Sequence, residues 1–394
     1  MSQWFVPGRI EVFGKHTDYA GGTSLLAAVD RGVTATTSPA DRLTITSDAF
    51  PHDEVVLTPG ERLDAPAGHW GHYMAVVVDR LTKNFGAPAP THLHLTSTLP
   101  PASGMSSSAA LVCATVLALA DDNGYTETEQ WRDHIRDELE LAHYCSCVEN
   151  GYPYPGLPGE VGVGTLAGSE DHTAMLACRE GEITEFSFLP SVRGESQPLP
   201  EGWTFVIAVS GVLAEKSGAV KERYNHLSTS ARAIVERWNA VTGRDDKVLA
   251  DALAVEDGLE GLRAAVAGDE ALTTRLEAFV DEVRVHIPRA LSALREGDAR
   301  AFGQAAVDSH RNADRRLGNQ IPETSHLVEM AVTLGAAGAS AFGAGFGGSV
   351  WALVRSQDAD QFAADWAARQ RENFPATTPE CFVTRPSAPG RRLA

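Results

Sequence analysis

The chain has 394 residues, of which 43% are hydrophobic and 22% are charged, and its formal net charge at pH 7 is -19. This length and composition are typical of a globular protein with a large core and room for two ordinary domains. The acidic balance, without a basic cluster, excludes the usual nucleic-acid-binding surface. No apolar run approaches the roughly 20 residues that a membrane-spanning helix needs.

The cysteines and the N-terminus indicate where the protein works. The five cysteines are odd in number, and their spacing matches no zinc-binding pattern. The first nine residues, MSQWFVPGR, lack the basic region and apolar stretch of a secretory signal. Both observations predict a cytoplasmic protein whose cysteines stay reduced.

The first 35 residues predict a strand, a glycine-containing loop and a second apolar strand. The loop belongs to the stretch PGRIEVFGKHTDYAGG, residues 7–22. Arg9 is its first candidate functional residue, because a guanidinium is always charged and can bind phosphate or carboxylate through two hydrogen bonds. A surface ion pair is the alternative for Arg9. His16 and Asp18 are polar candidates in the loop, and a packed histidine is the alternative for His16.

Two strands over residues 42–58 and a helix over residues 68–85 are predicted next. Trp70 and Tyr73 stand at positions i and i+3 of that helix. Aromatic residues at this spacing are more often part of a core than of a ligand site. Leucines at even spacing in THLHLTSTLP, residues 91–100, then predict a strand with one buried face.

The stretch PPASGMSSSAAL, residues 100–111, joins this strand to an apolar helix. Gly104 lets the backbone approach a ligand closely. Hydroxyl groups follow at Ser106, Ser107 and Ser108, beside the free amides of the first helical turn. Together with the helix dipole, these groups favour an anion such as phosphate. The alternative is an ordinary serine-capped helix, since the stretch matches neither GxxxxGK[ST] nor GxGxxG.

The middle of the chain is predicted to contain one long helix and two connecting segments. The helix covers residues 126–150 and opens with a capping box formed by Thr126 and Glu129. A glycine- and proline-rich loop follows it. The segment SVRGESQPLPEG, residues 191–202, is predicted to be a linker between domains.

The second half begins with a predicted strand at residues 204–209. Residues 226–313 show helical spacing interrupted by glycines, which predicts several helices. The glycine-rich stretch FGAGFGGSV, residues 342–350, leads into a buried strand, VWALV. The last nine residues, 386–394, are predicted to be a mobile tail.

Three of these stretches, in this order, resemble the three motifs of the GHMP small-molecule kinases. Motif one, roughly GRxNxIGEHxDY in galactokinases, corresponds to residues 8–19. Motif two, roughly PxGxGLSSSA, corresponds to residues 100–109, with Ala102 in place of one glycine. Motif three, GxGFGG, corresponds to residues 343–348. The resemblance extends along nearly the whole chain, and motif one is most similar to that of galactokinases.

The resemblance implies an α+β fold of two domains, with the active site in the cleft between them. The expected domains are residues 1–195 and 196–385. It also implies an enzyme that uses ATP and Mg²⁺ to phosphorylate a sugar or cyclitol, at the anomeric hydroxyl or an equivalent ring position. The expected partners are therefore this small molecule and ATP, with no nucleic acid or membrane. The expected state is a monomer or a weak homodimer.

The motifs assign roles to individual residues by resemblance. Asp171, in a G-x-x-D sequence, is the expected catalytic base, and Arg9 is expected to keep it ionised and to stabilise charge on the γ-phosphate. The expected substrate-binding residues are Glu11, Lys15, His16, Asp18 and Gly168. The expected ATP-binding residues are Trp70, Tyr73, Gly104, Ser106, Ser107 and Ser108. The motif-three glycines expected to pack against motif two are Gly343, Gly345, Gly347 and Gly348.

By the same resemblance, Mg²⁺ is expected on Ser108 and Glu149. A hard cation that bridges phosphates commonly takes one carboxylate, a hydroxyl and waters. Glu160 is the alternative carboxylate, and a solvated helix-end carboxylate is the alternative interpretation of Glu149. His172 stands where galactokinases have a glutamine after the catalytic aspartate.

Motif one departs from galactokinases at two positions, since Glu11 replaces the usual Asn and Lys15 replaces the usual Glu. An ammonium group is cationic and only donates hydrogen bonds, so Lys15 favours a phosphate or carboxylate on the substrate. The leading hypothesis is therefore an already anionic sugar or cyclitol. One alternative is that Glu11 and Lys15 pair with each other away from the substrate. Two functional alternatives are true galactokinase activity and a non-catalytic sugar-sensing regulator.

Overall fold

The computed structural model describes residues 2–61, 63–66, 68–101, 103–164, 166–212 and 218–393, without the side chains of residues 218–221. Ala102, which replaces a motif-two glycine, lies outside the described residues. The described strands are, in chain order, β1 (Gln3–Phe13), β2 (Thr23–Pro39), β3 (Leu43–Ser47), β4 (Phe50–Leu57), β5 (Thr91–Ser97), β6 (Glu182–Ser187), β7 (Val192–Pro198), β8 (Trp203–Val209), β9 (Gly338–Phe342), β10 (Ser349–Arg355), β11 (Glu380–Thr384) and β12 (Arg391–Arg392).

The described α-helices are, in chain order, α1 (Gly71–Phe85), α2 (Ser107–Asp122), α3 (Glu129–His134), α4 (Glu138–Asn150), α5 (Glu170–Ala177), α6 (Gly218–Thr242), α7 (Leu249–Ala254), α8 (Gly258–Ala265), α9 (Glu270–Asp281), α10 (Ile287–Glu296), α11 (Ala299–Asn312), α12 (Pro322–Thr333) and α13 (Ala359–Asn373). Short π-helical segments, Glu282–His286 and Ala313–Leu317, continue α9 and α11. The helices predicted between residues 226 and 313 are therefore confirmed.

The first sheet has the strand order β12-β1-β2-β5-β3-β4, and β6 pairs with β2 and with β7. The strands are antiparallel to their neighbours except that β3 runs parallel to β5. Phe13 pairs with Leu25 at the end of the β1–β2 hairpin. The motif-one loop therefore projects from two strands whose register is fixed by buried apolar residues.

The second sheet is antiparallel, with the order β11-β8-β10-β9. Strands β9 and β10 form a hairpin in which Phe342 pairs with Ser349. The motif-three glycines between these two residues therefore form the tip of that hairpin. The predicted strands at residues 204–209 and 350–354 are confirmed as parts of β8 and β10.

The two sheets share one hydrophobic core. Phe13 of the first sheet lies 5.6 Å from Phe302 of α11 and 6.4 Å from Trp351 of the second sheet, between ring centroids. The rings of Trp351 and Phe205 are 5.2 Å apart, with the edge of one ring facing the other. Edge-to-face rings at these distances stabilise the contact beyond their buried area. The mixed α and β composition of the fold is as predicted.

The strand, loop and helix around motif two are confirmed. Leu93 and Leu95 are buried on β5, as their even spacing predicts. Helix α2 is buried on nearly every side, and its apolar residues Val116 and Leu119 belong to the main core. A helix enclosed in this way holds its N-terminus in a fixed position.

The helix predicted over residues 126–150 is wrong as a single element. Helix α3 ends at His134, and α4 begins at Glu138. Thr128, rather than Thr126, caps α3 by accepting a hydrogen bond from the Trp131 amide at 3.2 Å. Asp137 caps α4 through the amide of Glu140 at 2.9 Å. Two local capping bonds therefore divide the helical pattern.

The predicted linker and the predicted mobile tail are also corrected. Residues 192–198 of the linker form β7, which pairs with β6. In the tail, the amides of Ser387 and Gly390 donate to the carbonyls of Ala28 and Met175, at 2.9 Å and 2.8 Å. Strand β12 then pairs with β1. Backbone pairing at a sheet edge explains why polar sequences form ordered structure here.

Within the described residues, every helix is too short or too polar to cross a lipid bilayer.

Candidate active site

A single buried guanidinium joins motif one to motif two and to helix α5. Arg9, on β1, donates from Nε to Asp171 Oδ1 at 2.7 Å, and its Nη2 lies 2.6 Å from the same oxygen. Its Nη1 donates to the carbonyl oxygen of Gly104 at 2.6 Å. Arg9 is only 4% exposed, so these charge-assisted hydrogen bonds form away from water, where they are strongest.

The charges around Arg9 keep it ionised. Burial lowers the pKa of the guanidinium, but the nearby carboxyl groups of Asp171, Glu170 and Glu11 outweigh burial and raise that pKa above its ordinary value. Asp171 therefore faces a permanent positive charge.

The second oxygen of Asp171 is bound by motif two. Ser106 Oγ donates to Asp171 Oδ2 and makes no capping bond to α2. Ser106 has a φ of 61°, a left-handed conformation that is strained for a residue with a side chain. Both oxygens of Asp171 are thus held, one by Arg9 and one by Ser106. The serine-cap alternative does not apply to Ser106.

Motif three packs directly on motif two. A Cβ atom on Gly343 would lie 2.8 Å from the carbonyl oxygen of Gly104 and 3.4 Å from Arg9 Nη2, so no side chain fits there. A Cβ atom on Gly345 would lie 2.2 Å from the carbonyl oxygen of Asn319. Backbones can approach this closely only at glycine. Gly347 and Gly348 complete the turn at φ values of 136° and 83°.

A pocket opens beside Arg9 and Asp171, and its lining comes from motif one, the segment that leads into α5, α6 and motif three. Its described lining residues are Arg9, Glu11, His16, Asp18, Tyr19, Ala167, Gly168, Glu170, Asp171, Tyr224, Gly343 and Ala344. Four of these residues carry carboxyl groups, and Arg9 is paired with one of them. The pocket therefore suits a ligand with several hydroxyl groups that can donate hydrogen bonds.

Asp18 and Gly168 contact each other in the pocket wall. A Cβ atom on Gly168 would lie 2.1 Å from Asp18 Oδ2, so the absence of a side chain makes room for this carboxylate. The backbone amide of Glu170 donates to the same oxygen at 3.4 Å. Ser146 Oγ fixes Gly168 from the other side, by donating to its carbonyl oxygen at 2.9 Å.

His16 connects motif one to motif three. Its Nδ1 lies 2.9 Å from the hydroxyl of Tyr19, and its Nε2 lies 3.0 Å from the carbonyl oxygen of Ala344. The carbonyl can only accept, so Nε2 carries the proton and Nδ1 accepts from Tyr19. The ring of Tyr224 packs 5.4 Å from the imidazole ring. His16 therefore lines the pocket with both ring nitrogens already hydrogen-bonded.

Lys15 lies behind the pocket wall. Its Nζ is 3.9 Å from Glu11 Oε1 and 3.4 Å from Ser309 Oγ, and Ser309 Oγ donates to Glu282 at 2.8 Å. Lys15 is 3% exposed, and it is absent from the pocket lining given by the described residues. Its positive charge also helps burial to lower the pKa of His310 to about 3. The structure thus shows the paired arrangement of Glu11 and Lys15.

Tyr73 lies close to both Glu149 and Ser108. The Tyr73 hydroxyl is hydrogen-bonded to Ser108, while burial and the negative charge of Glu149 raise its pKa to about 12. Glu149 Oε2 lies 2.9 Å from His172 Nε2, and both side chains are buried. Glu160, by contrast, pairs with Lys83 at the surface.

One carboxylate and one hydroxyl suit a Mg²⁺ ion that takes its other ligands from phosphates and water. The described residues contain no group of three or more His, Cys, Asp or Glu residues that would hold a metal alone. Glu149 and Ser108 therefore fit a shared metal–phosphate site better than a closed protein site.

Trp70 directly precedes α1, and Ser107 lies at the start of α2. Trp70 stacks on Phe50 with ring centroids 5.5 Å apart, and its Nε1 donates to Asp53 at 2.7 Å. The described pocket lining includes neither residue, so the structure does not bring them to this pocket.

Five lining residues were not predicted: Tyr19, Ala167, Glu170, Tyr224 and Ala344. Glu170 precedes Asp171 in the G-x-x-D stretch, and Tyr19 ends motif one, so position in the motif was an available signal for both. No such signal exists in the sequence for Tyr224, because its position at the pocket depends on how α6 packs. Burial, followed by the nearby negative charge of Asp18, raises the pKa of Tyr224 well above its ordinary value.

Comparison with known proteins places this site in a family. Three family models match the chain: the galactokinase galactose-binding signature over residues 2–39, the GHMP kinases N terminal domain over 72–156 and the GHMP kinases C terminal model over 290–372. The fold has the same architecture as a Lactococcus lactis galactokinase solved with galactose, with a TM-score of 0.82 and 24% identity over 100% of this chain and 95% of that one.

Sequence relatives give the same result. A galactokinase of Streptomyces coelicolor is 30% identical over 99% of this chain and 94% of its own length. One of Thermococcus kodakarensis is 29% identical over 97% of each chain. The fold and the matched models define a GHMP kinase, an enzyme class that transfers a phosphoryl group from ATP with Mg²⁺. The chain belongs to the galactokinase-like GHMP kinase family, and its function is that of a sugar kinase.

Proposed function

We propose that this chain is a galactokinase, which transfers the γ-phosphoryl group of ATP to the anomeric hydroxyl of galactose. The main support is the position of Asp171, which lines a hydroxyl-binding pocket while Arg9 and Ser106 hold both of its oxygens. The similarity of residues 2–39 to the galactose-binding signature supports galactose as the sugar.

Asp171 is the proposed acceptor of the proton from the attacking hydroxyl. The permanent charge on Arg9 favours its ionised form, and the bond from Ser106 fixes the direction of the second oxygen. Arg9 also stabilises negative charge that develops on the transferred group, which is the larger requirement in phosphoryl transfer.

The N-terminus of α2 is the proposed phosphate site. The amides of its first turn, at Ser107 and Ser108, are free of helical partners, and the helix dipole favours an anion there. Ser108 and Glu149 would hold Mg²⁺, which neutralises phosphate charge when bound. Tyr73 orients Ser108, and Trp70 supports the same face from the start of α1.

The pocket favours a neutral sugar over an anionic one. Its lining contains Glu11, Asp18, Glu170 and Asp171. Lys15, the cation that motivates the anionic-substrate hypothesis, pairs with Glu11 behind the wall. A carboxylate or phosphate in the pocket would face acidic groups without a free cation among the described lining residues, and like charges at close range oppose binding.

A coupled assay of ADP release tests this proposal. The substrates are galactose, arabinose, galacturonate, several sugar phosphates and a cyclitol phosphate, with Asp171→Asn as the inactive control. We expect galactose to give the highest kcat/KM, acidic sugars to be poor substrates, and Asp171→Asn to lose about 10²–10⁴-fold in kcat. Preferred turnover of an acidic sugar would overturn the assignment of galactose. Full activity of Asp171→Asn would overturn the assignment of the base.

We also propose that the enzyme works in the cytoplasm as a monomer or weak homodimer. The five cysteines are all free thiols, and four of them are buried, which suits a reducing compartment.

A further inference from the structure

Two acidic residues of the pocket wall come from different elements and contact each other. Glu11 lies on β1, and Glu170 is the first residue of α5. They are 3% and 6% exposed, and both line the sugar pocket. Their carboxyl groups are close enough for a side-chain hydrogen bond, which lowers the pKa of Glu11. Two carboxyl groups can form such a bond only when one of them carries a proton.

The surrounding groups hold this pair in place. Ser24 Oγ donates to Glu170 Oε2 at 2.6 Å. On the other side, Glu11 Oε1 is 3.9 Å from Lys15 Nζ. Within the described residues, Glu11 Oε1 is buried and has no hydrogen-bond partner. Glu11 Oε1 therefore faces Lys15 behind the wall, and Glu11 still lines the pocket together with Glu170.

The charges that face the pair come from every neighbouring element. Arg9 and Lys15 are positive, and Asp18, Asp171 and Glu282 are negative. Burial raises the pKa of Glu11 to about 7, against the opposing effects of Lys15 and Arg9. Burial, followed by the charge of Glu11, also raises the pKa of Glu170. With one proton on the pair, its single negative charge balances the positive charge of Lys15.

We propose that Glu11 and Glu170 share one proton and together form a hydrogen-bonding surface that binds a hydroxyl of the sugar. This inference rests on the proposed function for the identity of the sugar, whereas the shared proton does not depend on it. Loss of the proton would place two negative charges side by side in the pocket wall. The pair would then separate by repulsion and no longer fit the sugar.

The first test measures stability without a substrate. A carboxyl group whose pKa is raised on folding stabilises the protein below its unfolded pKa and loses that contribution as pH rises through the folded value. Glu170→Gln keeps the shape of the protonated group and cannot ionise. We therefore expect Glu170→Gln and wild type to unfold at similar temperatures near about pH 5, and Glu170→Gln to be the more stable above about pH 7.

Two controls make this result specific to the pair. Glu195→Gln removes a surface carboxylate that is paired with Arg295, and its effect on Tm should not grow with pH across this interval. Each single variant removes the same shared proton. The double variant of Glu11→Gln and Glu170→Gln should therefore flatten the pH dependence of Tm no further than either single variant does. If the Tm of Glu170→Gln followed that of wild type at every pH, the proposal of a shared proton would be overturned.

The second test measures sugar binding through KM and kcat for galactose. We expect the wild-type KM to rise by about tenfold or more above about pH 7, while kcat changes much less. Glu170→Gln should hold KM nearly constant over the same range, and Glu195→Gln should follow wild type. A loss in kcat alone for Glu170→Gln would overturn the binding role, because it would show that Glu170 acts through Asp171.

The two tests separate the two proposals. If wild type neither phosphorylates galactose nor gains thermal stability from it, the proposed function fails. The Tm profiles then still decide whether the pair holds a proton. If galactose is phosphorylated but its KM is independent of pH and unchanged in Glu170→Gln, the proposed function stands and the carboxyl pair is overturned.

Discussion

Arg9 shows how one residue can determine the geometry of a site. Its guanidinium binds Asp171 and the carbonyl of Gly104, and Gly343 packs against it without a side chain. Each partner belongs to a different part of the site, so one buried charge contacts all of them. Lysine could not replace it, because a single ammonium group lacks the planar set of donors that reaches both partners.

The metal assignment gives a prediction at the residue scale. Glu149 is buried and Tyr73 lies close to both Glu149 and Ser108, whereas Glu160 pairs with Lys83 at the surface. We expect Glu149→Gln to raise the Mg²⁺ concentration needed for half-maximal activity by at least about tenfold, because it removes the carboxylate ligand. Mg²⁺-dependent stabilisation in the presence of ADP, measured by Tm, should weaken in parallel.

Glu160→Gln is the matched control, since it changes the same chemical group at the alternative position. It should keep the Mg²⁺ dependence of wild type. A larger effect at Glu160 than at Glu149 would show that the longer loop, rather than the end of α4, supplies the ligand.

The sequence predicted part of the site because some residues carry their chemistry in a local pattern. Arg9, Asp18 and Asp171 stand in motifs, and the structure places all three at one pocket. Tyr224 could not be found in this way, since only the packing of α6 brings it to His16. The direction in which the Lys15 side chain points could not be predicted either, because its partner Ser309 comes from a distant part of the chain.

At the scale of the element, the hairpin of β9 and β10 holds motif three against the rest of the site. Gly345 has a φ of 81°, and a Cβ atom there would lie 2.2 Å from the carbonyl oxygen of Asn319. We expect Gly345→Ala to lower the free energy of unfolding by about 1–2 kcal/mol for the strained φ. The backbone clash should add about 1–3 kcal/mol, as measured by denaturant unfolding.

Gly335→Ala is the matched control, because its φ is 100° and nothing lies within 4 Å of the added Cβ atom. Its loss in free energy of unfolding should reflect the strained φ alone, because the added Cβ atom meets no neighbour. Equal losses for the two variants would mean that the hairpin tip moves freely and does not depend on the contact with Asn319.

The C-terminal segment acts as an additional edge of the first sheet. The amides of Ser387, Gly390 and Leu393 donate to carbonyls of β2, α5 and β1, at 2.9, 2.8 and 2.7 Å. Truncation after Arg385 removes these bonds, each with a net value of about 0.5–1.5 kcal/mol. We therefore expect the free energy of unfolding to fall by about 2–4 kcal/mol in denaturant titrations.

The double variant of Arg391→Ala and Arg392→Ala separates backbone from side-chain effects. It keeps β12 paired and removes only two surface contacts, that of Arg391 with Phe5 and that of Arg392 with Asp121. Its loss should stay below about 1 kcal/mol. If truncation were no more destabilising than this variant, the backbone bonds would have no measurable role.

Local sequence patterns predicted elements well where apolar periodicity was long and poorly where capping or edge pairing decided the outcome. The apolar periodicity of the α2 sequence was sufficient to predict that helix. Asp137 began a new helix inside a continuous helical pattern, through one side-chain bond. Residues 192–198 have the composition of a linker, yet they form β7 because β6 offers an open edge.

For the whole molecule, the two sheets are held together by apolar contacts and a surface link. Phe13, Phe302 and Trp351 lie in the same core cluster, with ring centroids between 5.6 and 6.4 Å apart. Arg31 of β2 also binds Glu380 of β11 at 2.7 Å. A chain with a separate core in each half would unfold in two steps, whereas a shared core couples the halves.

We therefore expect the protein to unfold in one cooperative transition, with coincident curves for near-UV and far-UV circular dichroism. Phe13→Ala should lower the free energy of unfolding by about 3–5 kcal/mol, because it leaves a cavity at the junction of the two sheets. Both optical signals should shift together. Phe50→Ala, at a phenylalanine that is 46% exposed, should cost far less. Two separate transitions, or a shift in only one signal for Phe13→Ala, would show that the halves fold independently.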